Sequence, residues 1–77
     1  MTHDIRARAA DVLSEALGTS LSAEENPQRH QLDAWDSLKH MELILLLEEE
    51  FNVRFSMEQA VNLNSLDDIV NILGELQ

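Results

Sequence analysis

Ser37 and His40 are the two residues whose types and spacing could support chemistry within this chain. A serine hydroxyl one helical turn from an imidazole can act as a nucleophile with its general base. Such a pair also needs an orienting carboxylate and an oxyanion hole, and the surrounding sequence of a 77-residue chain indicates neither. A small hydrolase built on this pair is therefore the weakest hypothesis. We expect no catalysis by the chain itself, and we expect His40 to be a helix residue near the edge of the core.

Motifs that bind metals or nucleotides are absent from the sequence. It contains no glycine-rich phosphate loop, no HExxH and no EF-hand loop, and it has no cysteine. None of the three histidines, at positions 3, 30 and 40, has a second ligand at metal-binding spacing. The sequence therefore predicts no metal site.

The charge of the chain indicates what kind of partner it has. Fifteen acidic residues against five basic ones give a net charge of -10, which repels nucleic acid and anionic lipid and favours basic protein surfaces. The N-terminal sequence has no signal-peptide pattern, and no apolar run is long enough to span a membrane. We expect one monomeric, cytoplasmic domain over residues 1–77, with no flanking domains and no membrane or nucleic-acid partner.

Hydrophobic periodicity predicts three main helices and a short one. The first helix covers residues 3–17, with Thr2 as N-cap and Gly18 as C-terminal cap. The second covers 37–51, with either Asp36 or Ser37 as cap, and residues 57–61 give one or two further turns after Ser56.

The last helix and the longest connection complete the predicted fold. The sequence from Ser65 to Asp68 resembles a capping box that opens a final amphipathic helix. The connection from Gly18 to Asp36 is long for so small a domain, and we expect three apolar anchors to pin it: Leu21, Leu32 and Trp35. The expected fold is all-α: a small bundle of three main helices plus one short helix, with a long loop between the first two main helices.

The predicted helix 37–51 has apolar residues on two sides. On a helical wheel at about 100° per residue, one side gathers core candidates: Leu43, Ile44, Leu47 and Phe51. The opposite side mixes aliphatic residues with carboxylates: Leu38, Met41, Glu42, Leu45 and Glu49, with Glu48 beside them. Either the long loop covers this side or it is a docking face for a basic partner, and the net charge favours docking.

The segment around Ser37 closely resembles the phosphopantetheine attachment motif of acyl carrier proteins. The resemblance rests on LDAWDSL at 32–38, MEL at 41–43 and LEEEF at 47–51. In that family an Asp-Ser-Leu triplet opens the second helix, which carries Glu-Leu near its middle and ends in acidic residues before Phe. The order of the predicted helices extends the similarity over nearly the whole chain.

The resemblance implies a carrier that is modified and used by other enzymes. A holo-acyl-carrier-protein synthase or other phosphopantetheinyl transferase would attach 4'-phosphopantetheine from coenzyme A to Ser37, and Asp36 would help to position that enzyme or its metal. Acyl groups would then travel as thioesters between acyl-loading and acyl-processing enzymes with basic docking patches. The resemblance also implies an interior acyl pocket, for which the candidates are equally well explained as plain core: Leu43, Leu47, Phe55, Leu63 and Ile69.

Two departures from the family pattern leave the pathway open. Trp35 stands where fatty-acid carriers often have glycine, and Lys39 places a positive charge near Ser37. A fatty-acid, polyketide, aminoacyl or other dedicated pathway therefore fits the sequence. The alternative hypothesis is a helical protein-interaction module in which Ser37 is only a helix N-cap.

Overall fold

The structure is a computed structural model that describes residues 4–76. It contains α1 (Ile5–Leu17), α2 (Ser37–Phe51), α3 (Met57–Val61) and α4 (Leu66–Leu76), with a 3-10 turn at Arg29–Gln31. Within the described part of the chain no strand forms, and one isolated antiparallel bridge joins residues 28 and 65. The predicted all-α bundle is confirmed, including its one short helix and its long first connection.

Both ends of α1 are capped by residues outside the helix. The Oδ1 atom of Asp4 accepts a hydrogen bond from the Ala7 amide at 3.1 Å, so Asp4 is the N-cap. Thr2, which we predicted as cap, lies outside the described residues. At the other end Gly18 has φ of 70°, a left-handed conformation that glycine adopts without steric cost, and its amide donates to the Ser14 carbonyl at 2.8 Å.

The core is mainly aliphatic, with Trp35 and Phe51 as its buried aromatic residues, and lies where α1 packs against α2 and α4. The apolar stripe of each helix supplies it: Ala9, Leu13 and Ala16 from α1, Leu43, Leu47 and Phe51 from α2, and Leu66, Ile69 and Leu73 from α4. Full burial of one Leu or Ile side chain contributes about 1.5–3 kcal/mol. In a domain without disulfides, this burial has to offset the entropy lost on folding.

The long connection between α1 and α2 is pinned as predicted. Trp35 is 2% exposed, and Leu21 and Leu32 are partly buried against the core. The 3-10 turn at Arg29–Gln31 was not predicted, because three residues without a buried member show no periodicity.

Backbone hydrogen bonds also join this connection to the start of α4. The Arg29 amide donates to the Asn64 carbonyl at 2.7 Å, and the Leu66 amide donates to the Pro27 carbonyl at 3.0 Å. The Arg6 guanidinium, from α1, bonds to the Ala23 and Glu25 carbonyls. The connection is therefore held along its length rather than free over the bundle.

The two C-terminal helices are capped by serines. Ser56 and Gln59 form a complete capping box at α3. At α4 the Ser65 hydroxyl accepts from the Asp68 amide at 3.1 Å, but the Asp68 carboxylate accepts from the Asn64 amide and not from that of Ser65. The predicted second capping box is thus only half formed, because the shorter Asp side chain reaches a neighbouring donor. None of the helices described between residues 4 and 76 is long and apolar enough to cross a membrane.

Candidate functional site: the N-terminal end of α2

Asp36, not Ser37, caps α2. The Asp36 backbone is extended, and its Oδ1 accepts from the Lys39 amide at 2.9 Å. Its carbonyl accepts the first helical hydrogen bond, from the His40 amide at 2.8 Å. Ser37 is the first residue of the helix itself. A cap role for Ser37 is therefore wrong, and with it the premise that this serine is present only as an N-cap.

The Ser37 hydroxyl is available for reaction. The residue is exposed, and no hydrogen bond among residues 4–76 engages its Oγ. The first amides of a helix have no intrahelical partner and carry a partial positive charge, which favours an anion bound there. The geometry thus fits a phosphodiester on Ser37 Oγ, since the residue is exposed at the start of the helix and Asp36 takes up only the Lys39 amide.

His40 is occupied elsewhere. Its Nδ1 accepts from the indole Nε1 of Trp35 at 3.0 Å, so the ring proton is on Nε2, which donates to the Ala60 carbonyl at 2.7 Å. The imidazole is half-buried and stacks beside the Trp35 ring. With both nitrogens engaged, His40 is not a base for Ser37, and it lies at the core edge as the sequence predicted.

The outer side of α2 is open. Leu38 and Met41 are 66% exposed and Leu45 is 64% exposed, with exposed Glu42 and Glu49 between them. The alternative in which the long loop covers these residues is wrong. Lys39 Nζ lies 3.8 Å from Glu42 Oε2, so one of the two carboxylates already has a cation beside it.

Glu48 differs from the other predicted docking residues. Its side chain is half-buried, and its Oε2 accepts from the Phe55 amide at 2.9 Å. This contact fixes the turn that leads from α2 to α3. The carboxylate of Glu48 therefore acts within the fold rather than on the open side of α2.

The predicted acyl-pocket residues are well buried in this structure. Leu43, Leu47, Leu63 and Ile69 are fully buried in the common core, and Phe55 is partly buried against it.

A separate open cleft of about 380 Å³ lies beside Trp35, lined also by Arg29, His30 and Asn64. This cleft could not be predicted from the sequence, because residues 29 and 64 are brought together by the bridge between 28 and 65 and not by any local pattern.

Comparison with protein families agrees with this geometry. The family model for the phosphopantetheine attachment site (PP-binding) matches residues 5–73, which is most of the chain and includes α1, α2 and α3 entirely. This family is defined by covalent attachment of 4'-phosphopantetheine, and its carrier domains carry acyl groups without being enzymes themselves. The chain therefore belongs to the phosphopantetheine-binding family, which includes the acyl carrier proteins.

Proposed function

We propose that this chain is an acyl carrier protein with its 4'-phosphopantetheine arm on Ser37. It works as a single cytoplasmic domain and delivers thioester-bound acyl groups to enzymes of fatty-acid, polyketide or related biosynthesis. One observation above all supports the assignment: the Ser37 hydroxyl is exposed and unbonded, because the neighbouring Asp36 does the capping.

The side chains around Ser37 determine which groups of this chain, and which of the transferase, act in the attachment step. In the attachment step Ser37 Oγ bonds to the phosphorus of the pantetheine phosphate as the bond to the nucleotide phosphate breaks. The hydroxyl proton leaves to a base of the transferase, since His40 is engaged by Trp35 and Ala60. Asp36 presents an exposed carboxylate beside the hydroxyl, where it helps to position the transferase or its metal. The helix amides then stabilise the phosphodiester.

The open side of α2 is the proposed docking face. Its apolar residues, Leu38, Met41 and Leu45, supply contact area that is released from water on binding. Glu42 and Glu49 attract a basic partner surface and set the rate of encounter. Glu48 supports this face indirectly, by fixing the turn at Phe55.

An acyl chain inside the bundle requires an element that can move. In the proposed acyl pocket, Leu43, Leu47, Leu63 and Ile69 are completely buried, so an aliphatic chain enters only if a neighbouring element shifts. The helix α3 has no buried residue of its own, and it is the element whose displacement disturbs the core least. We place the entry between α2 and α3, at Phe55.

Intact-mass measurement tests the proposed function. The protein is incubated with coenzyme A, Mg²⁺ and a phosphopantetheinyl transferase, alongside Ser37→Ala and Ser20→Ala. Ser20 is an exposed serine of the long connection and is the matched control. We expect wild type and Ser20→Ala to gain the mass of one phosphopantetheine group and Ser37→Ala to gain none. Unmodified wild type, or modification of Ser37→Ala, would overturn the assignment.

A further inference from the structure

The cleft beside Trp35 is a preformed site close to Ser37. Its volume, about 380 Å³, is within the range of small-molecule sites. Trp35 forms part of its lining and is only two residues before Ser37, so a flexible arm attached to that serine is long enough to reach it.

Hydrogen bonds hold the lining residues in place. The backbone amide of Arg29 is bonded to Asn64, and its Nε lies 3.4 Å from the Trp35 carbonyl. The Trp35 indole is in turn fixed by its bond to His40. The cleft therefore exists without a ligand, and filling it requires little ordering of the protein.

The lining carries positive charge in a strongly acidic chain. Of the basic residues, Arg6, Arg8 and Lys39 form ion pairs, whereas no ion pair within residues 4–76 includes Arg29. Its side chain uses only Nε in the hydrogen bonds described, which leaves the two terminal nitrogens for a ligand.

The other lining groups suit the same kind of ligand. The exposed His30 lies next to Arg29 in the cleft, and Asn64, whose Nδ2 donates to the Val61 carbonyl at 3.1 Å, completes the polar lining. A planar guanidinium with two terminal nitrogens outside the hydrogen bonds described suits a carboxylate.

From this we infer that the cleft seats the terminal carboxylate of a short acyl cargo, with Arg29 as its principal partner. The inference rests on the proposed attachment of the arm to Ser37, and it names the cargo class: short acyl groups that end in a carboxylate. A plain aliphatic chain has no partner for Arg29 and goes to the apolar interior instead.

The test compares two cargoes that differ only in their end group. A phosphopantetheinyl transferase loads the protein from coenzyme A, pentanoyl-coenzyme A or glutaryl-coenzyme A; the last two acyl groups have the same number of carbon atoms. The readouts are the ¹H–¹⁵N signals of Trp35 Nε1 and Arg29 Nε, and the emission of Trp35, which is the single tryptophan. We expect the Arg29 Nε signal to shift with the glutaryl group and to stay unchanged with the pentanoyl group. The Trp35 signals are compared only between coenzyme A and glutaryl loading, because His40 joins that indole to α3, which an entering aliphatic chain displaces.

Two charge-matched variants locate the effect. Arg29→Gln should lower the seated fraction of the glutaryl group by about 2- to 5-fold, the range for a partly exposed ion pair. Arg54→Gln removes the same charge from the exposed turn between α2 and α3 and should leave that fraction unchanged. Equal losses in both variants would mean a general charge effect and would overturn the inference.

The outcomes separate this inference from the proposed function. If intact mass shows no modification at all, the proposed function itself fails. If the protein is modified but the Arg29 Nε signal of the glutaryl form equals that of unmodified protein, or shifts equally in the pentanoyl form, only the cleft assignment is overturned. Shifts that already occur with the unacylated arm would identify its phosphodiester as the anion in the cleft, which also overturns the cargo assignment.

Discussion

Trp35 donates its indole N–H to Nδ1 of His40 across 3.0 Å, and the other nitrogen of the same imidazole meets the Ala60 carbonyl at 2.7 Å. One side chain of α2 thus joins the end of the long connection to the short helix α3. Since α3 buries no residue of its own, this bond is a main attachment of that helix to the bundle. The imidazole is therefore a structural link between the long connection and α3, and neither of its nitrogens is free to act on Ser37.

Removing this link should loosen α3 selectively. In His40→Ala the buried indole N–H loses its acceptor, and an unsatisfied buried donor costs about 1–3 kcal/mol. We expect the free energy of unfolding in urea to fall by that amount. Relative to wild type, the hydrogen-exchange rates of the α3 amides should increase more than those of the α1 amides. Circular dichroism and hydrogen exchange measure the two effects.

A double-mutant cycle separates the hydrogen bond from packing. Trp35→Phe keeps an aromatic ring but lacks the donor, so the cycle with His40→Ala should give a coupling energy of about 1 kcal/mol. Strictly additive losses of unfolding free energy would mean that the bond contributes nothing to stability.

The position of the N-cap gives a second prediction, with opposite results for neighbouring residues. Ser37→Ala should leave the free energy of unfolding within about 0.5 kcal/mol of wild type, because its hydroxyl caps nothing. Asp36→Ala should lose about 1 kcal/mol, whereas Asp36→Asn keeps a good cap and should lose much less. Urea unfolding measures all three.

The same variants separate the cap from the charge of Asp36. If Asp36 also positions the transferase, Asp36→Asn should be stable but modified more slowly than wild type, as measured by intact mass over time. Destabilisation by Ser37→Ala equal to that of Asp36→Ala would contradict the observed cap.

Structural features were predictable from the sequence where they depend on residues close together in the chain. The helices were predictable because their apolar residues repeat at helical spacing, and Gly18 marked the end of α1 for a conformational reason. Which of Asp36 and Ser37 is the N-cap of α2 was not predictable, because adjacent Asp and Ser are both good caps. A single sequence gives no information on which of them points back to the Lys39 amide.

The cleft and the role of Glu48 were beyond prediction for a different reason. Each depends on residues that are distant in sequence and meet only after folding: Arg29 with Asn64, and Glu48 with the Phe55 amide. A helical wheel places Glu48 near the docking face, yet its long side chain turns to a backbone donor in the following turn. Periodicity predicts which face of its own helix a residue lies on. It does not predict which hydrogen-bond donors of the following segment come within reach.

Two leucines of α2 provide a third prediction, on the two sides of one helix. Leu47 is fully buried and Leu45 is 64% exposed. Leu47→Ala should cost about 2–5 kcal/mol of unfolding free energy, whereas Leu45→Ala should stay within about 0.5 kcal/mol. Leu45→Ala should instead weaken binding to a partner enzyme, measured by titration calorimetry. An unchanged dissociation constant would remove Leu45 from the docking face.

The two glutamates of the proposed docking face, Glu42 and Glu49, are not equivalent. Glu42 has the Lys39 ammonium 3.8 Å away, whereas none of the ion pairs among residues 4–76 involves Glu49. The pair of Lys39 and Glu42 carries no net charge, whereas Glu49 adds its full negative charge to the field that attracts a basic partner. Glu42→Gln removes the same charge as Glu49→Gln and leaves the Lys39 ammonium uncompensated, so we expect it to slow association with a phosphopantetheinyl transferase at least as much as Glu49→Gln does.

Lys39→Gln should have the opposite effect and speed association, because it frees Glu42. Stopped-flow measurement at low salt should show changes of roughly 2-fold per residue, a small part of the ten- to thousand-fold that steering can supply in total. The differences should shrink as the ionic strength rises, because salt screens exposed charges. Glu15→Gln, on the exposed side of α1, removes the same single charge and controls for net charge. If it slows association as much as Glu49→Gln does, the rate depends on total charge and the docking face has no special role.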